Sequence, residues 1–159
     1  MFIRRQFLIF KTTAMALTLF TLAMSVDLAP VIAQDDVEFS RSSLAIETSD
    51  GTHAFDVEVA ATDRQRARGL MFRTEMAPDA GMIFLYRQDR VLTMWMANTY
   101  LPLDMLFIAA DGRIVHIAEE TIPLSRATIS SRRRARAVLE LNAGTVKRLN
   151  IHVGDRVVF

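Results

Sequence analysis

The stretch Arg90 to Ile108, RVLTMWMANTYLPLDMLFI, decides how the rest of the chain is read. Two apolar runs with strand-like alternation flank a short connector built around Pro102. Successive side chains on a strand point to opposite sides. One face of Val91 to Asn98 would therefore carry Val91, Thr93, Trp95 and Ala97, and the other Leu92, Met94, Met96 and Asn98. From Leu103 the same rule sets Asp104 beside Leu106 and Ile108 on an inward face. Asn98, Thr99 and Asp104 thus fall in the sheet interior or at its rim, where a carboxylate must find donors or become neutral.

Upstream, Leu44 to Thr48 and Phe55 to Val59 both alternate across the turn Ser49-Asp50-Gly51-Thr52, which predicts a β-hairpin. Thr62 to Gln65 is a capping-box pattern, followed by a short helix carrying Arg64, Arg66 and Arg68 and capped by Gly69. Leu70 to Asp79 reads as an irregular connection. Met82 to Tyr86 then reads as a strand, and Arg87 to Arg90 as a turn into the central pair.

Downstream, Ala109-Ala110-Asp111-Gly112 predicts another hairpin turn, with Arg113 to Ala118 as the strand after it. Glu119 to Arg136 holds Pro123, several Ser and a basic cluster without a sustained period, and reads as a long loop. Ala137 to Leu141 is a strand, Thr145 to Leu149 one helical turn, and Val157 to Phe159 a closing strand. A dozen-residue crossover helix is missing throughout, which favours antiparallel pairing over βαβ units. The expected fold is mainly β, an α+β chain with one or two short helices, folded as a compact antiparallel β-sandwich or a partly closed barrel.

Residues 1–33 read as an export signal. Arg4, Arg5 and Lys11 form a positive start, Thr12 to Met24 is weakly polar to apolar, and Val31-Ile32-Ala33 precedes the expected cut before Gln34. The apolar run is shorter than the ~20 residues of a spanning helix, the competing reading being an uncleaved anchor. RRQFL is similar to a twin-arginine signal, although Ile3 stands where that signal has Ser or Thr. The expected location is periplasmic or secreted. Residues 34–43, polar and acidic, read as a flexible tether, and residues 44–159 as a single β-rich domain.

The signal segment carries three of the 19 Lys and Arg and one of the 18 Asp and Glu, which leaves 16 bases against 17 acids. Such a balance offers no electrostatic reason to expect a nucleic-acid partner. The chain has no cysteine, so packing alone must stabilise it in an oxidising compartment.

RGLMFR, GMIFLY, MWMANT followed by PLDMLFI, DGRIVHI, AVLELNAG and GDRVVF resemble, in this order and spacing, the family known as domain of unknown function 192. The resemblance spans Leu44 to Phe159. It implies a small β-rich domain, often behind a bacterial signal peptide, with no established activity. It also places emphasis on Asn98, Thr99, Pro102, Leu103 and Asp104. Relatives often carry Pro-Cys where this chain has Pro123-Leu124, so a thiol role cannot operate here.

Two readings stand for Asn98, Thr99 and Asp104: side chains that cap connectors through backbone amides, or a ligand site in which Asp104 pairs with Arg68 and Asn98 faces a groove. Glu140 alternates onto the face of Val138, either outward to solvent or as a second acid near Asp104. Trp95, the single tryptophan, is a core anchor or a stacking platform. His53, His116 and His152 have no partner at metal-ligand spacing, and Met94 with Met96, which would suit copper(I), lie among core-type residues. No metal or cofactor is expected. GxSxG is absent. Arg132, Arg133, Arg134 and Arg136 read as a solvated loop tip or a contact with an anionic membrane.

The sequence reading is therefore a non-enzymatic binding or accessory module for a small polar ligand, peptide or glycan, with no catalytic residues. Its candidate site comprises Arg68, Trp95, Asn98, Thr99, Asp104 and Glu140. The alternative is a hydrolase or lyase that uses Asp104 and Glu140 as an acid and base pair.

Overall fold

The Ser49-Asp50 turn is tied by Thr48, whose hydroxyl accepts from the Asp50 amide at 3.2 Å and donates to the Gly51 carbonyl at 3.1 Å. In the computed structural model, which describes residues 37–159, this turn joins β1 (Ser40–Thr48) to β2 (Gly51–Ala60). The remaining elements are α1 (Asp63–Arg68), β3 (Ala80–Met94), β4 (Leu103–Ile108), β5 (Ile114–Ala118), β6 (Ile129–Asn142), α2 (Thr145–Arg148) and β7 (Arg156–Val158). The seven strands form one sheet in the order β5-β4-β6-β3-β2-β1-β7.

Every pairing is antiparallel except β2 with β3. That parallel pair arises because α1 and the irregular connection after it return the chain to the same end of the sheet. The two edge strands then approach each other. Arg113 bridges to Arg156, Ile114 donates to the Asp155 carbonyl at 2.9 Å, and Val157 donates to the Gly112 carbonyl at 2.8 Å. The sheet is therefore a curled half-barrel, the partly closed barrel of the two expected architectures and not the sandwich.

Each face carries its own apolar cluster. All seven strands contribute to the first, through residues such as Leu44, Phe55, Ile83, Leu106, Leu139, Ile114 and Val157, and Val146 and Ile151 cover it. The second lies on the opposite face of the central strands, where Met82, Phe84, Met105, Phe107 and Val138 pack under Leu70 and Met96. Each large side chain buried in this way contributes roughly 1.5–3 kcal/mol. Met82, Met94, Met96 and Met105 all belong to the second cluster.

Three sequence expectations change. Arg87 to Arg90 is not a turn between separate strands: β3 runs through it, and the register jumps from Leu85 opposite Ala137 to Arg90 opposite Ala135. The apolar runs on both sides pair with the same partner strand, so the polar residues between them bulge. The long loop proposed for Glu119 to Arg136 is also shorter, because β6 begins at Ile129. Ser131 and Ala135 turn inward while Arg132, Arg133, Arg134 and Arg136 stay exposed, so the arginine cluster decorates a strand and not a loop tip. Finally, Ser40 to Ser43 of the expected tether pair with Val59 to Asp56 as the first part of β1. The export signal and residues 34–36 lie outside the described residues.

Candidate functional site

Asp104 sits on β4, all six residues of which are buried. Its own exposure is 0 %. One carboxylate oxygen accepts from the Glu120 amide at 2.9 Å and the other from the Val146 amide at 2.9 Å. Val146 lies in the first turn of α2, whose N-cap, Gly144, is left-handed and offers no side-chain cap. A neighbouring strand thus supplies the acceptor that the local sequence lacks. The expected pairing of Asp104 with Arg68 is not formed: the Arg68 guanidinium lies over the Phe72 ring, 4.9 Å from its centroid.

The expected strand through Asn98 ends at Met94. Leu92, Met94 and Met96 are buried as the alternation requires, but Ala97 and Asn98 form a turn that breaks the period. Asn98 is left-handed, with φ of 57°, and its side chain is exposed instead of inward. Its carbonyl accepts from the Phe72 amide at 2.8 Å. Thr99 is buried, and its carbonyl accepts from the Leu124 amide at 3.0 Å. The connections at Phe72, Asn98 and Leu124 are therefore laced together through backbone bonds, and all three residues have positive φ.

Glu140 has a different environment. On β6 it stands opposite Met82 of β3 and Met105 of β4, on the face of the second apolar cluster. Above it runs α1, held by the capping box in which the Gln65 amide donates to Thr62 at 3.2 Å and the Gln65 side chain accepts from the Thr62 amide at 2.9 Å. The helix ends at Gly69, where φ is 47° and an added Cβ would stand 3.1 Å from the Phe84 ring. Only glycine suits this close, left-handed turn.

Between α1, β3 and the connection after Met94 lies a cavity of about 230 Å³. Glu140 lines it together with Arg66, Arg68, Met71, Phe84, Tyr86, Arg90, Thr93, Met94, Trp95 and Thr99. Glu140 is 4 % exposed, and its carboxyl makes no hydrogen bond to any described residue. Burial pushes this acid up to about 8, so it is mostly protonated at neutral pH and can both donate and accept.

The mouth of the cavity is cationic. Arg66 is pinned by the Ala61 and Leu85 carbonyls, at 2.6 and 2.7 Å, and pairs with Asp63. The Arg66 and Arg90 guanidinium groups lie 5.1 and 5.3 Å from the Tyr86 ring centroid. Burial raises the Tyr86 hydroxyl above its usual range. Trp95 is 54 % exposed and forms part of the cavity wall, so it is not a core anchor.

Of the sequence candidates, the fold brings Arg68, Trp95, Thr99 and Glu140 to one cavity and leaves Asn98 and Asp104 out of it. Asp104 pairs in register with Leu141 while Glu140 pairs with Met105, so the two carboxyls occupy opposite faces of the sheet. They cannot form the acid and base pair of the alternative reading. Sequence reasoning missed Arg66, Tyr86 and Arg90, since a bulge and a helix separated by some twenty residues bring them together. Among the described residues, no group of three or more His, Asp or Glu is placed to hold a metal.

The family model DUF192, described as an uncharacterized ACR, matches residues 45–159. No functionally curated protein matches the chain. Among solved structures, a Sinorhizobium meliloti protein described as a candidate transcription regulator has 51% sequence identity and a TM-score of 0.75, covering 77% of this chain and 96% of its own. A Novosphingobium aromaticivorans protein of unknown function has 36% identity and a TM-score of 0.75, covering 82% of this chain and 90% of its own. Family match, shared strand architecture and these identities agree, and the chain belongs to the DUF192 family.

Proposed function

We propose that this protein is an exported, non-enzymatic binding module and that its ligand site is the cavity over Glu140. One observation carries the reading: a buried carboxyl without a hydrogen-bond partner among the described residues lines an open cavity. A ligand group that bonds this carboxyl would form a hydrogen bond worth roughly 0.5–1.5 kcal/mol net. The aromatic and thioether walls at Phe84, Tyr86, Trp95 and Met94 supply apolar contact, with a few polar groups to orient a small molecule.

The acid and base alternative is not retained, because the sheet separates Asp104 from Glu140. The regulatory role named for the Sinorhizobium meliloti relative is not carried over either. Near-equal numbers of bases and acids after residue 33 give DNA little electrostatic attraction.

Export is tested by fractionating cells that express the full chain; the expected product lies outside the cytoplasm and begins at Gln34. Binding is tested on that product by native mass spectrometry for a co-purifying molecule and by a melting screen of small metabolites, with Trp95 emission as a second readout. Ligand binding to the native state raises the melting temperature, and contact with the cavity changes the emission of its wall. If no compound does both and no molecule co-purifies, the binding reading fails.

A further inference from the structure

The charges around the cavity do not balance. Asp63 is taken by Arg66, and Arg66 is further held by two backbone carbonyls. Arg68 and Arg90 have no carboxylate partner among the described residues; each lies against an aromatic ring, Phe72 or Tyr86, which orients a guanidinium without neutralising it. Glu140, a buried carboxyl without a hydrogen-bond partner among the described residues, lines the same cavity. Arg90 is exposed whereas Glu140 is buried, so the guanidinium marks the open side of the cavity and the acid its deep side; burial raises the proton affinity of that acid. Phe84, Tyr86, Met94 and Trp95 supply the apolar part of the cavity wall.

Resting on the reading of this cavity as a ligand site, we infer that it takes a small organic carboxylate with an apolar body and an uncharged hydroxyl or carbonyl at its far end. The anionic group faces Arg68 and Arg90, the body lies against Trp95 and Tyr86, and the far group exchanges a hydrogen bond with the Glu140 carboxyl. A charge-assisted bond to a guanidinium is roughly twice as strong as a neutral one, which sets the preference for an anion. A cationic ligand would meet two unneutralised guanidinium groups. Of the titratable groups facing the cavity, Asp63 is paired, the arginines keep their charge, and Tyr86 is raised above its usual range. Glu140 is therefore the group whose ionisation above about pH 8 would interfere with binding.

The test uses the chain starting at Gln34 and four probes: 4-(hydroxymethyl)benzoate, its amide, 4-methylbenzoate and 4-(hydroxymethyl)benzylamine. Affinities are measured by calorimetry and by Trp95 emission. The hydroxymethyl carboxylate is expected to bind about tenfold more tightly than the amide or the amine, and several-fold more tightly than the methyl analogue, as one added charge-assisted or neutral bond implies. Arg90→Gln, an exposed change, should reduce the preference over the amide several-fold, with Arg68 remaining; an unchanged preference overturns the placement of the anion. Affinity should fall about tenfold between pH 7 and pH 9 in the wild type and stay level in Glu140→Gln. Equal binding of carboxylate and amide, or tighter binding of the amine, overturns the anion inference and leaves the cavity as a binding site. Failure of all four probes to bind overturns the inference too, while the metabolite screen decides separately whether the cavity binds anything.

Discussion

Asp104 and Glu140 stand one register step apart on hydrogen-bonded strands, and their carboxyls leave the sheet in opposite directions. Asp104 meets two backbone amides at 2.9 Å, whereas Glu140 meets a cavity and no donor among the described residues. The parity of the pleat thus sends two acids of one strand pair to different surroundings, one to backbone amides and the other to a cavity.

Asp104→Asn should destabilise the fold without altering ligand affinity. An amide offers one acceptor oxygen where the Glu120 and Val146 amides need two, and the buried NH₂ would face a donor. The expected loss is roughly 2–4 kcal/mol, read by denaturant unfolding. An unchanged midpoint would show that these amides have other acceptors.

Glu140→Gln should change how stability depends on pH. The native acid titrates at about 8 against an ordinary value of 4.5, so the folded state holds a proton that the unfolded chain releases. Wild-type stability is therefore full below about pH 4.5, falls as pH rises toward 8 and levels off above it. The loss across that window is on the order of 3–5 kcal/mol. Melting curves from pH 5 to 9 should slope downward for the wild type and less for the variant, which becomes the more stable protein at pH 9. Parallel curves would mean that Glu140 is not buried as an acid.

Ser131→Ala removes a bridge at the bulge. The buried Ser131 hydroxyl accepts from the Leu92 amide at 2.9 Å and donates to the Arg133 carbonyl at 2.5 Å, next to the left-handed Arg132. Orphaning both backbone groups should cost roughly 1–3 kcal/mol. Hydrogen exchange at the Leu92 amide should accelerate more than exchange at Ile83; uniform acceleration would argue against a local role.

Thr62→Ala should cost about 1 kcal/mol through loss of the helix cap. Gln65→Ala removes the reciprocal half of the same box and also the bond from its side-chain amide to the Glu38 carbonyl at 2.8 Å. Because the two side chains act on each other, the double variant should lose less than the sum of the singles. Strict additivity in a double-mutant cycle would contradict a shared box.

The hairpin around Asp50-Gly51, the Thr62–Gln65 cap, the Gly69 stop and the alternation through Leu92, Met94 and Met96 were all legible in the sequence. Each depends on residues within a few positions of one another, where turn chemistry and side-chain period act directly. The bulge in β3, the strand character of Ile129 to Arg136 and the outward turn of Asn98 were not legible. Each is imposed by a partner distant in sequence: Ala135 and Ala137 across from β3, or the Phe72 amide on the Asn98 carbonyl.

By itself the sequence determined a cysteine-free, mainly β domain with short helices, because periodicity and composition are properties of the chain alone. It also placed Asp104 on the Leu106 face and Glu140 on the Val138 face, since strand alternation fixes parity locally. Only the tertiary structure decided what those faces meet. Register set Asp104 under the amides of Glu120 and Val146, while α1 and the β3 bulge brought Arg66, Arg68, Tyr86 and Arg90 over Glu140. A cavity forms where elements distant along the chain fail to fill the space between them, and no local pattern encodes that gap.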